Sequence, residues 1–177
     1  MSDYVEGFPE AGRKKERIFK FRALAIIGIP LAAILFQVAV PRFISYLSYL
    51  DLPLLVTVYF SVMRRSPVAG VLFGAGIGLA QDCLSRGYLG MYGIVKTLVG
   101  YFAASVSQRF DVENSMVRLV LGFFFYFFHQ FFYWVLKRAL LGESVDFDPE
   151  QTIVVAILNA VVAVPLFRTL DRLKITS

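Results

Sequence analysis

Three ionisable side chains lie within or beside strongly apolar segments of this 177-residue chain: Asp82, Lys96 and His129. A charge at the centre of a bilayer costs about 2.5–3.5 kcal/mol on insertion scales, so such groups either find partners or mark an ion or proton path. A transport relay needs several ionisable groups along one route. Three groups are few for that purpose, and we expect them to have structural roles.

Asp82 lies in "GAGIGLAQDCLSRGYLGMYG", residues 74–93, close to the predicted end of a membrane span. The natural partner is Lys96 in the next span, because its long stem can reach back toward the boundary. Arg86 and the backbone amides of the turn at Gly87 are competing partners. A further interpretation is that Asp82 caps this turn and fixes the helix ends.

Tyr126, His129, Gln130 and Tyr133 recur at helical spacing and form a polar stripe in an aromatic segment. A lone histidine is more often a hydrogen-bonded interior residue than a ligand or base. The single cysteine, Cys83, excludes an intrachain disulfide and has no His or Cys neighbour at metal-ligand spacing. We therefore predict no cofactor, no metal site and no enzymatic activity.

The elements that carry these residues are long apolar blocks. The chain is 58% hydrophobic with a mean hydropathy of +0.66, against roughly 45–50% apolar content in soluble domains. The blocks approach the ~20 residues that cross ~30 Å of hydrocarbon. We predict an all-α integral membrane protein, a six-helix transmembrane bundle with tails at 1–22 and 171–177. The predicted spans are about 23–40, 52–63, 67–84, 88–107, 117–136 and 151–168.

The second span is short, so it must thin the bilayer, tilt little or be hidden among its neighbours. The distribution of Lys and Arg predicts orientation. With six spans, thirteen lie on the side of the termini, four lie on the other side, and Lys96 remains within a span. Both termini are therefore predicted to be cytoplasmic. The basic residues would attract anionic membrane lipid, and no basic and aromatic face outside the bilayer suggests nucleic-acid binding.

Gly70, Gly74 and Gly78 recur every four residues in the third span, and Asp82 is the next step. A face without side chains allows another helix to approach closely. We hypothesise that this face and the short second span form a groove for the single membrane helix of a partner. Nucleotide binding by "GAGIGL" is excluded, because its sixth position is Leu79 and no strand precedes it.

The segment "DLPLLVTVYFSVMRRSPVAGVLFGAGIGLAQDCLSRGYLGMYGIVKTLVGYFAAS" resembles the rod shape-determining protein MreD family of bacteria, and the resemblance extends over about residues 23–170. Two positions depart from the family pattern: Tyr88 stands where proline is common, and Lys96 where an apolar residue is common. The matching features are a basic turn with proline, a glycine-stepped span ending in Asp, and a Leu-Gly turn into a span ending L-V-G-Y. They map onto Arg64, Arg65, Pro67, Gly70, Gly74, Gly78, Asp82, Ser85, Leu89, Gly90, Leu98, Val99, Gly100 and Tyr101.

The resemblance implies a non-catalytic subunit of the cell-elongation complex in the bacterial cytoplasmic membrane, supporting peptidoglycan synthesis and rod shape. Its direct partner would be MreC. The protein would also interact with MreB, with RodA and with the penicillin-binding transpeptidase partner of RodA, either directly or through MreC. The family fold is similar to the substrate-binding subunits of energy-coupling-factor transporters. This suggests an alternative function, a small-molecule uptake subunit, although residues 23–40 lack the Ala-x-x-x-Ala step of such subunits.

Overall fold

The computed structural model describes residues 20–21, 23–40, 43–85 and 87–175. Most of the basic tail and Arg86 lie outside the described residues. The predicted all-α class is confirmed: apart from two two-residue strands, the regular elements of the described chain are helices. These are β1 (Lys20–Phe21), α1 (Ala23–Ala39), a 3₁₀ helix (Ser45–Tyr49), α2 (Leu52–Arg64), α3 (Pro67–Leu84), α4 (Met91–Ser107), α5 (Ser115–Leu140), α6 (Pro149–Asp171) and β2 (Lys174–Ile175).

Side-chain caps explain where four of the helices begin. Asp51 accepts a hydrogen bond from the Leu54 amide at 2.9 Å, and Asp148 accepts one from the Gln151 amide at 3.0 Å. Ser66 and Asn114 cap α3 and α5 in the same way. Such caps satisfy amides that have no partner within the helix. Proline in the first turn of α2, α3 and α6 marks the same starts.

Helix α2 is the centre of the bundle. Residues 53–63 are all buried, and α2 packs against α1, α3 and α4. Of the three expected ways to accommodate a short span, the structure therefore shows burial among neighbours. The 3₁₀ helix precedes α2 directly, and the combined stretch Ser45–Arg64 is 20 residues long. This broken span places Asp51, at the break, inside the protein rather than at its surface.

Within the described part of the chain, four helical stretches are long and apolar enough to cross a membrane: Ser45–Arg64, Pro67–Leu84, Ser115–Leu140 and Pro149–Asp171. Helix α1, with Pro30 inside it, and α4 are 17 residues each. Strands β1 and β2 pair antiparallel, with Lys20 opposite Ile175. They bring the first and last described residues to one end of the bundle, which we call the proximal end. The distal end holds the α3–α4 turn and the α5–α6 loop.

Candidate functional site

The glycine face of α3 is covered by α4. A Cβ atom at Gly70 would overlap the carbonyl oxygen of Gly100, and one at Gly74 would overlap that of Lys96. At Gly78, it would overlap the backbone at Tyr92. The predicted close approach of two helices is thus seen, but within the chain.

The hypothesis that this glycine face forms an open groove for a partner is therefore wrong. Helix α4 follows α3 after a turn of only a few residues, and its own Gly93 and Gly100 let the two backbones touch. Helix α2 cannot line an open groove either, because it is buried on all sides. The three glycines serve packing within the bundle.

Asp82 caps α4 and does not pair with Lys96. Its carboxylate, buried at the distal end of α3, accepts hydrogen bonds from the amides of Gly90, Tyr92 and Gly93 at 3.0, 3.1 and 2.9 Å. These amides lie at the start of α4, where negative charge also interacts favourably with the helix dipole. Of the alternative partners for Asp82, the structure shows backbone amides rather than Lys96, and the capping interpretation agrees with this geometry. Arg86 lies outside the described residues.

We expect Asp82→Ala to lower the free energy of unfolding by about 2 kcal/mol, because three amides at the start of α4 lose a charged acceptor. Asp82→Asn should lose less, since its carboxamide oxygen still accepts. Cys83→Ala is the matched control, because the neighbouring Cys83 is exposed. Unfolding in mixed detergent micelles measures the three differences. An Asp82→Ala protein as stable as Cys83→Ala would contradict the capping role.

The two turns predicted from glycine, proline and basic residues have distinct geometry. Gly90 has φ of +93°, a conformation that favours glycine, while Gly87 is exposed. Arg64 ends α2, and Arg65 adopts φ of 51° and offers its carbonyl to the Gln108 side chain at 3.1 Å. Pro67 then opens α3. The turns thus fix the ends of α2, α3 and α4.

Tyr88, which stands where the family pattern has proline, joins the two distal connections. Its phenol hydrogen-bonds Glu143 in the α5–α6 loop, and this interaction raises the pKa of the Tyr88 phenol. Glu143 also lies 3.4 Å from Lys137 near the end of α5. The α3–α4 turn and the α5–α6 loop therefore meet at the distal end.

Lys96 pairs with Asp51. The ammonium nitrogen lies 3.2 and 3.1 Å from the two carboxylate oxygens, with the Lys96 side chain fully buried and that of Asp51 13% exposed. The Asp51 amide donates to Asn159 Oδ1 at 3.0 Å, and the Asn159 amide group donates to the carbonyls of Tyr49 and Val155. This network, here the Asp51 network, ties α2, α4 and α6 together.

His129 completes the Asp51 network from α5. Its Nε2 atom lies 3.5 Å from the Lys96 ammonium, and its Nδ1 atom lies 3.9 Å from an Asp51 oxygen. The ring stacks near Tyr92 and Tyr133. The polar stripe of α5 therefore faces the interior, as expected for a histidine that contacts interior polar groups. Among the described residues, no cluster of three His, Cys, Asp or Glu could hold a metal ion.

A polar cavity of about 310 Å³ lies beside the Asp51 network at the distal end, and a second cavity of about 410 Å³ adjoins it. We call the two together the distal recess. Its inner cavity is lined by Gln37, Val38, Ser48, Tyr49, Asp51, Gln81, Leu84, Ser85, Tyr92, Tyr126, His129, Gln130 and Tyr133. Gln130 donates to the Tyr126 hydroxyl at 2.8 Å.

Sequence reasoning missed Asp51, Asn159 and Gln81 as members of this site. A usable signal is present for Asp51: a buried lysine requires a counter-charge, and Asp51 lies within an apolar span once the 3₁₀ helix is joined to α2. Asn159 offered a weaker signal as a lone carboxamide in an apolar helix.

A second ion pair, between buried Arg118 and half-buried Asp171, lies at the proximal end. Arg118 Nη2 is 2.6 Å from Asp171, and Arg118 Nε donates to the Val112 carbonyl at 2.9 Å. The Tyr59 hydroxyl donates to Asp171 at 3.0 Å. Arg118, Asp171 and Tyr59 thus join α5, α6 and α2 at this end of the bundle.

The helices, their apolar surfaces and the buried polar network define a multi-pass helical membrane protein. A family model described as rod shape-determining protein MreD matches residues 17–173, and the chain belongs to that family. It is thus a rod shape-determining membrane protein. No curated protein and no solved structure matches. The similarity to energy-coupling-factor subunits stays a prediction.

Proposed function

We propose that this chain is a non-catalytic subunit of the cell-elongation complex that binds MreC in the bacterial cytoplasmic membrane. The observation that carries the proposal is the family match, which includes all six helices. The bundle supports peptidoglycan synthesis and rod shape by holding MreC near MreB, RodA and the transpeptidase partner of RodA. All six helices cross the membrane, and both termini are cytoplasmic, in keeping with the excess of Lys and Arg on that side.

The surface that we propose for the MreC helix is an apolar groove between α1 and α3. It has a volume of about 320 Å³ and includes Pro30, Leu72, Gly76 and Ala80. Helix α1 packs mainly on α2 and α3, so its other face is open, with Ile27 71% exposed. A Cβ atom at Gly76 would meet nothing within 4 Å. Small residues in a groove allow a transmembrane helix to approach closely.

We expect Gly76→Leu to abolish copurification of MreC while the bundle stays folded, because the new side chain fills the groove and its Cβ atom meets nothing within 4 Å. Gly28→Leu is the matched control, since its added Cβ also meets open space and Gly28 does not line the groove. Pulldown from native membranes and the melting temperature of each variant check this. Wild-type MreC recovery with Gly76→Leu would contradict the assignment of the groove.

The alternative, a small-molecule-binding subunit of an energy-coupling-factor type transporter, is favoured by one observation, the distal recess with its polar lining. It requires that a vitamin stabilise the purified chain and that MreC not copurify with it. The MreC proposal requires copurification from native membrane. One pulldown with mass spectrometry of the bound protein therefore separates the two functions.

A further inference from the structure

The distal recess has the size and lining of a ligand site. We propose that it binds an organic cation, a primary ammonium or guanidinium group at the end of an elongated polar molecule. Its two cavities, of about 310 and 410 Å³, share several lining residues and so adjoin. Small-molecule sites typically measure roughly 300–1,000 Å³. This inference is independent of MreC binding, since the recess and the α1–α3 groove have no lining residue in common.

Among the described residues, two of the three buried atoms that line the recess without a hydrogen-bond partner are acceptors, and the third, His129 Nδ1, lies 3.9 Å from an Asp51 oxygen. Gln81 is 4% exposed, lines the inner cavity, and its Oε1 atom has no hydrogen-bond partner. Gln37, on α1, also lines the cavity with an unpartnered Oε1 atom. Buried polar atoms in proteins nearly always have partners. Together with the Asp51 carboxylate, these oxygens require a group rich in N–H donors.

The charge on the lining favours a cation. Asp51, Asp146 and Asp148 line the recess, against Lys137 as the one lysine or arginine of its described lining. The Lys96 ammonium neutralises the Asp51 carboxylate but is not part of the recess lining, and Lys137 pairs with Glu143. Among the described residues, no lysine or arginine nitrogen is within 4 Å of the Asp146 or Asp148 carboxylate. An anionic ligand would therefore be repelled at the mouth of the recess.

The aromatic lining is compatible with the same chemistry. Tyr49, Tyr92, Tyr126 and Tyr133 line the inner cavity. Aromatic faces attract ammonium and guanidinium groups. The protein already uses two of these rings in this way: the Lys96 ammonium lies 5.2 Å from the centroid of Tyr92, and that of Lys137 lies 5.4 Å from the centroid of Tyr133. The carboxylate, carboxamide and phenol groups that line the recess thus all favour an organic cation as the ligand.

The first test measures melting of the full-length chain in phosphatidylcholine nanodiscs. Agmatine and the blocked tripeptide acetyl-Gly-Arg-Gly-amide are the cationic probes, with glutarate and pentane-1,5-diol as controls at equal ionic strength. A ligand that binds the folded state raises the melting temperature with its concentration. Stabilisation by agmatine alone indicates a free small molecule, and stabilisation by the tripeptide alone indicates a side chain of a protein segment. Stabilisation by neither, or equal stabilisation by the controls, overturns the proposal.

Variants locate the site. Gln81→Met should weaken binding of the effective cationic probe about tenfold, the loss of a hydrogen bond to a charged group. The melting temperature without ligand should stay near that of the wild type, because Gln81 Oε1 has no partner to lose. Asp148→Asn should weaken binding while keeping the cap of α6, since Asn caps as well as Asp. Unchanged probe affinity in Gln81→Met would overturn the proposal.

Glu150→Gln is the matched control for the charge at the mouth. Glu150 lies in the first turn of α6 like its neighbours, but it does not line the recess. Its removal should leave probe affinity unchanged, and a loss equal to that of Asp148→Asn would show non-specific attraction and overturn the proposal. MreC recovery measured on all these variants should stay at the wild-type level. Cation binding in the recess and MreC binding in the groove are therefore tested separately, and either proposal can fail while the other stands.

Discussion

Lys96→Met is expected to lower the free energy of unfolding by about 3–5 kcal/mol, the cost of leaving one partner of a buried ion pair alone. Lys96 is fully buried, and its ammonium lies within 3.2 Å of both Asp51 oxygens. Methionine has a similar length but no charge. The Asp51 carboxylate would remain in the protein interior beside His129 without its counter-ion. Unfolding in mixed micelles, followed by circular dichroism, measures the loss.

The double variant Asp51→Asn with Lys96→Met should recover most of this stability, because asparagine still caps α2 and no buried charge remains. Lys137→Met is the matched control: its pair with Glu143 is about 28% exposed, and exposed pairs contribute about 0–1 kcal/mol. If Lys96→Met proves no more costly than Lys137→Met, or if the double variant is the least stable of all, the ion pair does not hold the bundle together.

Gly74→Leu is expected to prevent folding of the bundle, with a loss of more than about 3 kcal/mol, because a side chain at this position meets backbone rather than a flexible side chain. Even a Cβ atom at Gly74 would overlap the backbone of Lys96 and Thr97 in α4. Separation of α3 from α4 would also move Lys96 away from Asp51. The yield of monodisperse protein after size-exclusion chromatography measures this effect.

Gly76→Leu is again the matched control, two residues along the same helix and on an open face. It should fold with a melting temperature close to that of the wild type. If Gly74→Leu also folds normally but fails to recover MreC, then the glycine face binds a partner after all, and the assignment of that face to intrachain packing is wrong.

The sequence predicted the elements of this fold well because their determinants are local. The apolar blocks predicted the helices, and an acidic cap followed by proline, Asp51 with Pro53 and Asp148 with Pro149, marks two of the helix starts. The spacing of Gly70, Gly74 and Gly78 also predicted a close helix contact. The spacing could not predict which helix makes this contact. The close packing of α3 and α4 depends on glycines in both helices, and these come together only after folding.

The polar pairing could not be predicted because it joins distant segments. In the sequence the acid nearest to Lys96 is Asp82, whereas its partner in the structure, Asp51, lies 45 residues away. Asp82 needed no cation, since three amides at the start of α4 satisfy it. The distal recess is also a product of the tertiary fold. Its lining comes from α1, the 3₁₀ helix and α3 to α6 together with Asp51.

The most direct test of the central claim, that this bundle holds the membrane helix of MreC, is site-specific photo-crosslinking in living cells. A photoreactive amino acid is placed at Leu72 in the α1–α3 groove, at Ile94 on α4, or at Ile157 on α6, all lipid-accessible positions. We predict a crosslinked product containing MreC from Leu72 and none from Ile94 or Ile157. MreC crosslinked from Ile94 or Ile157 but not from Leu72, or from no position, would contradict the account.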